Sequence, residues 1–329
     1  MGTRRRLGAL GLAAALALGL AGCYEDQGSN GYARLDGPIT VNANGVAVVQ
    51  ARVGVGGLTF AVSREGVWTQ VPTPANESSG MASPVGIADD GTVLAITGGY
   101  VPFLWDAAQG ARTLESVAGV ALANPVDMAG DGTIVGRPFG STTGWLWSPS
   151  DGTVVDLVAP PGDTVVSEVT AINDVGQVVG TSLSPTGDTH LVAWEAPGYA
   201  PVTIGVPDEV DFAGITDIND AGQLVGRGST EEGGVVTSYA LRWSLDSTDA
   251  FVIEGNNVQF NAIDDDGTIV GALDGRPAIW DATTLEPYDP GSPYPTGWGT
   301  IVDIDGVHLV GTAPTDLSAA GRLVRYFRP

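Results

Sequence analysis

Short apolar runs and polar turns follow one another along this chain, and they return in the same order about every 45 residues. The clearest phrase runs apolar, Asn/Asp-rich, Gly, then apolar: INDVGQVVG from Ile172, INDAGQLVG from Ile218 and IDDDGTIVG from Ile263. Weaker copies read VNANGVAVV from Val41, IADDGTVLA from Ile87 and MAGDGTIVG from Met128, with a shorter IDGVHLVG from Ile304. The turn glycines Gly45, Gly91, Gly132, Gly176, Gly222, Gly267 and Gly306 lie 39 to 46 residues apart. A period of that size marks a propeller or a solenoid. Within a phrase the pattern predicts strand, turn, strand. Asn173 and Asp174 are residues that bond their own backbone in turns. Gly176 supplies the positive φ of a short bulged hairpin, and Val178 and Val179 resume a strand. A small residue usually closes the phrase, as at Gly180, Gly226 and Gly271, and suggests close approach of a neighbouring sheet.

A second mark follows ten to twenty residues later, a short apolar strand ending in an aromatic. It ends at Trp105, Trp147, Trp194, Trp243, Trp280 and, in the last copy, Tyr326. With one further strand, each unit holds four short antiparallel strands, which is a propeller blade. The predicted fold is therefore all-β: a β-propeller of seven four-stranded blades. The seventh unit runs out of sequence after its third strand, and YARLD from Tyr32 is expected to close it as an N-terminal outer strand, hiding two free edges. Six blades with a degenerate first unit outside the ring is the alternative. The 48 glycines and 21 prolines among 329 residues, with 43% hydrophobic residues, fit a turn-rich β protein with a real core.

The first residues set an address. Arg4, Arg5 and Arg6 precede a 15-residue apolar run, too short for a comfortable membrane span. The run ends in Leu20-Ala21-Gly22-Cys23, which resembles the bacterial lipobox; the resemblance implies cleavage before Cys23 and a lipid on its thiol. The expected organisation is 1–22 lipoprotein signal peptide, 23–37 lipidated tether including the closing strand, and 38–329 propeller. The expected location is a membrane-anchored lipoprotein at the outer membrane or cell surface. Cys23 is the only cysteine, so no internal disulfide forms. The formal charge is −24, with 38 acids against 14 arginines and no lysine. Such a surface repels nucleic acid and anionic headgroups. The expected membrane contact is through the Cys23 lipid alone, and a monomer is expected.

The pairing of INDxGQVVG with a following H-x-x-x-W strand resembles the extracellular HAF repeat family. The best match is Ile172–Trp194, with His190 and Trp194 at the family's histidine and tryptophan; Tyr239 replaces the histidine in the next unit. The resemblance implies a bacterial, exported, propeller-like protein and brings no catalytic residues.

Chemistry is sparse. The sequence offers no free cysteine, no lysine, no histidine cluster, no G-x-S-x-G elbow, no Walker loop and no H-E-x-x-H. No catalytic, cofactor-binding or metal residues are assigned. Calcium is the one cofactor left open, at the oxygen-rich turns Asp264–Asp266, Asp89–Asp90 and Asn219–Asp220; Asx turns use the same residues for hydrogen bonding alone, and that reading is favoured. Asp127, Asp217 and Asp303 each stand one residue before a phrase and are expected at a central channel, capping backbone amides rather than sharing a cation. The long loops join second to third strands and one unit to the next, on one face. They carry Glu231, Glu232, Tyr294 and Trp298, a candidate ligand face suited to carbohydrate. The function expected is a lipid-anchored cell-envelope binding or scaffolding module with a protein or polysaccharide partner. The alternatives are a carbohydrate-active enzyme using paired carboxylates on that face and a purely structural surface protein. Catalysis is the less favoured reading.

Overall fold

The computed structural model describes residues 32–53, 57–64, 67–75, 81–255, 258–274, 276–280, 287–288, 300–305, 308–315 and 320–327. Six runs of four antiparallel strands follow one another, over 32–71, 82–113, 125–157, 165–204, 212–254 and 258–288; the last five are separate four-stranded sheets and the first is part of a seven-stranded one. Within each run of four strands the chain meanders from first to last; the first strands of the five four-stranded sheets are edges, while Tyr32–Val41 lies between Ala320–Phe327 and Ala47–Val53. Those first strands adjoin one another in chain order: Tyr32–Val41, Ala82–Ile87, Pro125–Met128, Val165–Ile172, Phe212–Ile218 and Val258–Ile263. Thr300–Asp305 follows Val258–Ile263 and returns to Tyr32–Val41. Sheets arranged radially about a channel lined by their first strands make a β-propeller.

Seven four-stranded blades were expected, and six runs of four consecutive strands are present. The last three strands, Thr300–Asp305, His308–Thr315 and Ala320–Phe327, join the first sheet. The expected separate closing strand is not separate. YARLD forms the first half of Tyr32–Val41 and pairs with Ala47–Val53 from Tyr32↔Val53 to Val41↔Ala47. It meets Ala320–Phe327 at one position, Leu35↔Gly321. The reason lies at Asp36-Gly37-Pro38, where a bulge between Leu35 and Ile39 takes the place of a turn and lets one strand continue.

The phrase folds as its residues dictate. The Asn173 carbonyl accepts from Gly176 N at 3.1 Å while Asn173 N donates to the Gln177 carbonyl at 3.1 Å, and Gly176 has φ 82°. The small closing residue has a different cause from the one expected. A Cβ at Gly180 would fall on the carbonyl oxygen of Glu168, one at Gly226 on that of Gly214, and one at Gly271 on that of Gln259. Each carbonyl belongs to the first strand of the same sheet, where a bulge brings it inward. The aromatic ends of the third strands fill the space between sheets. Trp194 is fully buried and packs with Val135, Leu146 and Leu157 of the preceding sheet, and Trp280 packs with Val225 and Ala240. The Trp194 indole also donates to the Val158 carbonyl at 2.8 Å.

Candidate functional site

The bulges aim side chains at the channel. In six of the first strands the register slips just before the phrase, at Pro84/Gly86, Pro125/Asp127, Val169/Ala171, Ile215/Asp217, Phe260/Ala262 and Ile301/Asp303. The residue after each slip is Gly86, Asp127, Ala171, Asp217, Ala262 or Asp303, and Thr40 holds the same repeat position. The three acids therefore meet on one ring, as their spacing predicts. Each carboxylate clips its own strand to the next sheet. Asp127 accepts from Met128 N at 2.8 Å and Ile172 N at 2.9 Å. Asp217 accepts from Ile218 N at 2.8 Å and Ile263 N at 2.9 Å. Asp303 accepts from Ile304 N at 2.9 Å, Val41 N at 3.0 Å and the Thr40 hydroxyl at 2.9 Å. Alanine or threonine stands where each acid reaches across, which leaves room for it. Among the seven equivalent amides described, only that of Ile87 is held by no channel carboxylate.

Burial dominates the electrostatics of this ring. It pushes Asp127 and Asp303 up to about 6 despite the amides that favour the charged form. Asp217 lies well above the ordinary carboxylate range, through burial and then the neighbouring Asp303 and Asp127.

A second layer lies at the phrase turns. Asn42, Asn173 and Asn219 each accept from the backbone N–H four residues on, which closes the turn. Their Nδ2 groups reach the next sheet, donating to the carbonyls of Ala88, Asn219 and Asp264 at 2.8 to 2.9 Å. Gly130 N donates to Asp174 at 2.6 Å, Asp174 N to Asp220 at 2.9 Å and Asp220 N to Asp265 at 2.9 Å. The Asn/Asp phrase is thus a joint between sheets as well as a turn. Together the layers line a polar cavity of about 160 Å³ at this end of the channel, with Asp89, Asp174, Asp265 and Asp305 at its rim. Burial and then the Asp303 charge push Asp305 up to about 7. Among the described residues no group of three or more His, Cys, Asp or Glu side chains is placed to hold a metal ion.

The long loops lie at the other end. Glu231 and Glu232 end the strand Gln223–Glu232 at an exposed hairpin tip, opposite Val236 and Val235. Tyr294, Trp298 and Cys23 lie outside the described residues. His190 holds a loop here: its Nδ1 lies 3.0 Å from both oxygens of Asp163, which the buried Ser182 hydroxyl also bonds. Burial pushes Asp163 up, and Ser182 and His190 more than offset it. Sequence reasoning missed Asp163, which lies in a loop outside the repeated phrase. It also missed the exposed aromatic pair Tyr100 and Phe139, which meet edge to face at 6.4 Å between ring centres.

No protein-family model matches the chain, and no curated protein matches it by sequence. Solved structures do resemble it. The β-propeller domain of the trilobed protease from Pyrococcus furiosus, of open velcro topology, aligns over 90% of this chain and 95% of its own, with TM-score 0.60 and 14% identity. A puromycin-hydrolyzing peptidase from Mycobacterium tuberculosis aligns over 91% of this chain and 52% of its own, with TM-score 0.56 and 18% identity. Oligogalacturonate lyase from Vibrio parahaemolyticus aligns over 91% of both chains, with TM-score 0.57 and 9% identity. At these identities the likeness establishes the β-propeller fold alone.

Proposed function

We propose that this protein is an exported, lipid-anchored β-propeller of the extracellular HAF repeat type that binds an envelope partner through its long-loop face without turning over a substrate. The observation that carries the reading is the difference between the two ends of the ring. At the phrase end Asp127, Asp217, Asp303, Asp174, Asp220, Asp265 and the turn asparagines join sheets. At the other end exposed apolar side chains collect in the loops: Met81, Tyr100, Val120, Phe139, Val235 and Val236. Among large apolar residues of the phrase turns, Val175 alone is exposed among the described residues. Apolar groups left in water on one face of a rigid scaffold favour a binding role there. Adjacent residues of a strand project to opposite sides, so Glu231 and Glu232 do not flank one bond as a glycosidase pair does. That weighs against the enzyme alternative. No cofactor enters this reading.

The blade count proposed is seven. Its support is the closed order of first strands that includes Thr300–Asp305, with the last blade contributing three strands of its own. The protein is proposed as a monomer held to the membrane by the Cys23 lipid. Cys23→Ser is expected to abolish lipidation and leave an uncut precursor; normal processing and membrane retention would remove the lipoprotein reading. For binding, residues 228–238 are replaced by a short Gly/Ser turn, and melting temperature and crosslinked envelope partners are compared with the parent. Intact folding with weakened capture supports the reading, and an unchanged partner profile moves the site elsewhere.

A further inference from the structure

Tyr100 and Phe139 project from the second-to-third-strand loops of two neighbouring sheets, 82–113 and 125–157, and are 76% and 77% exposed. Both loops are held from beneath. Tyr100 N donates to the Thr97 carbonyl at 2.9 Å, Val101 N donates to the Thr97 hydroxyl at 3.2 Å, and Thr97 is buried. Arg137 beneath Phe139 donates to the carbonyls of Val166 and Ser141, and Asn124 Nδ2 donates to the Arg137 carbonyl at 2.8 Å. Tyr100 has φ 62°, a conformation that costs a non-glycine residue free energy. The turn therefore keeps a large aromatic ring in water, on a strained backbone, against a second ring. Stability alone favours glycine at that position. The rings meet at 88°, so the pair presents an open ring face beside an edge.

Charge on the same face selects the occupant. Around the ring from this pair the described loops carry Glu115, Asp188, Asp208, Glu209, Glu231 and Glu232. The arginines near this end are Arg137, whose guanidinium is spent on carbonyls, Arg276, and Arg34, Arg52 and Arg322 at strand ends of the first sheet, so the acids prevail on the fourth and fifth sheets. Aromatic faces attract guanidinium and ammonium groups, and an acidic field concentrates cations. The same chain shows the contact within itself, with the Arg242 guanidinium 5.5 Å from the Phe251 ring centre.

Resting on the proposal that the long-loop face binds a partner, we infer that the partner presents an extended basic polypeptide segment, with an arginine seated on the Tyr100–Phe139 pair and further cations along the acidic loops of the fourth and fifth sheets. The partner binds through charge and ring contact, so its affinity falls as salt rises.

The test uses the protein and three labelled probes: a poly(Arg-Gly) peptide, its poly(Glu-Gly) counterpart and cellohexaose. The expected result is saturable, salt-sensitive binding of poly(Arg-Gly) and none of the other two. Tyr100→Ala with Phe139→Ala is expected to weaken that binding about tenfold while melting stays near the parent's, because both side chains stand in solvent. Tyr100→Phe is expected to restore it. Binding that is unchanged in the double variant, or that appears for cellohexaose and not for poly(Arg-Gly), overturns the inference. If envelope-partner capture still falls when residues 228–238 are replaced, the long-loop face stands and only the basic partner is wrong. If neither probe binding nor capture responds to any change on this face, the reading of the face falls as well.

Discussion

Replacing Asp127 by Asn separates the two roles its carboxylate plays, amide acceptor and buried charge. Both oxygens accept backbone N–H groups. Asparagine keeps one acceptor and turns a donor against the other amide, leaving it unsatisfied at a cost of about 1–3 kcal/mol at every pH. The charge works the other way. The folded-state value is pushed from 3.8 up to about 6, so the native protein holds the proton more tightly than the unfolded chain. The resulting stabilisation is fully present below 3.8 and is lost as pH rises through about 6. Between about pH 5 and about pH 7.5 the parent loses about 1.4 kcal/mol through this group, and Asp127→Asn loses none of it. The variant should be less stable than the parent at about pH 5, with the gap narrowing by that amount at about pH 7.5. Urea unfolding followed by the fluorescence of the buried tryptophans measures both gaps. A gap that stays constant or widens with rising pH would refute the account of the channel acids.

Gly180→Ala places a Cβ on the Glu168 carbonyl; a loss of about 1–3 kcal/mol is expected from such overpacking, and an unchanged unfolding midpoint would mean the bulge does not press there. Asn219→Ala removes a turn acceptor and the donor to Asp264, and about 1–3 kcal/mol should be lost, with amide exchange accelerating at Gln223 and in the following sheet. Gly176→Ala and Gly222→Ala, at φ 82° and 69°, should each cost about 1 kcal/mol or more, as read from melting.

The propeller, the four strands per unit and the ring of channel acids were legible because each is written as a repeat. A residue one place before a phrase keeps that place around the ring, so Asp127, Asp217 and Asp303 converge without any contact being known. Three features were not legible. The small residues Gly180, Gly226 and Gly271 answer a bulge carbonyl within their own sheets, and a bulge leaves no mark in the alternation of apolar and polar residues. The Asn side chains cross to the next sheet, which requires the angle between blades. The Tyr100–Phe139 pair lies in loops that do not repeat, where an aromatic reads the same whether buried or bare. YARLD, expected to close the last blade as its outer strand, does meet Ala320–Phe327 at Leu35↔Gly321, but the bulge between Leu35 and Ile39 also carries it on into the first strand of the ring, which alternation does not reveal.

The carboxylate clips divide the ring by parity. Three acids with two oxygens each join the sheets two by two: 125–157 with 165–204, 212–254 with 258–288, and the C-terminal strands with 32–71. The sheet 82–113, with Gly86 where its neighbour has Asp127, is left as a singleton. An alternation of acid and small residue cannot close on an odd number, and this sheet absorbs the mismatch. Mechanically it is the panel that no channel carboxylate ties to a neighbour, although its turn is bonded on both sides, so slow breathing of the ring should begin at Ile87 and spread outward along the loop that carries Tyr100. Genealogically it is the piece whose excision, over residues 82–124, leaves only matched couples, and a shortened chain of that kind is the natural trial of whether the ring was assembled in pairs.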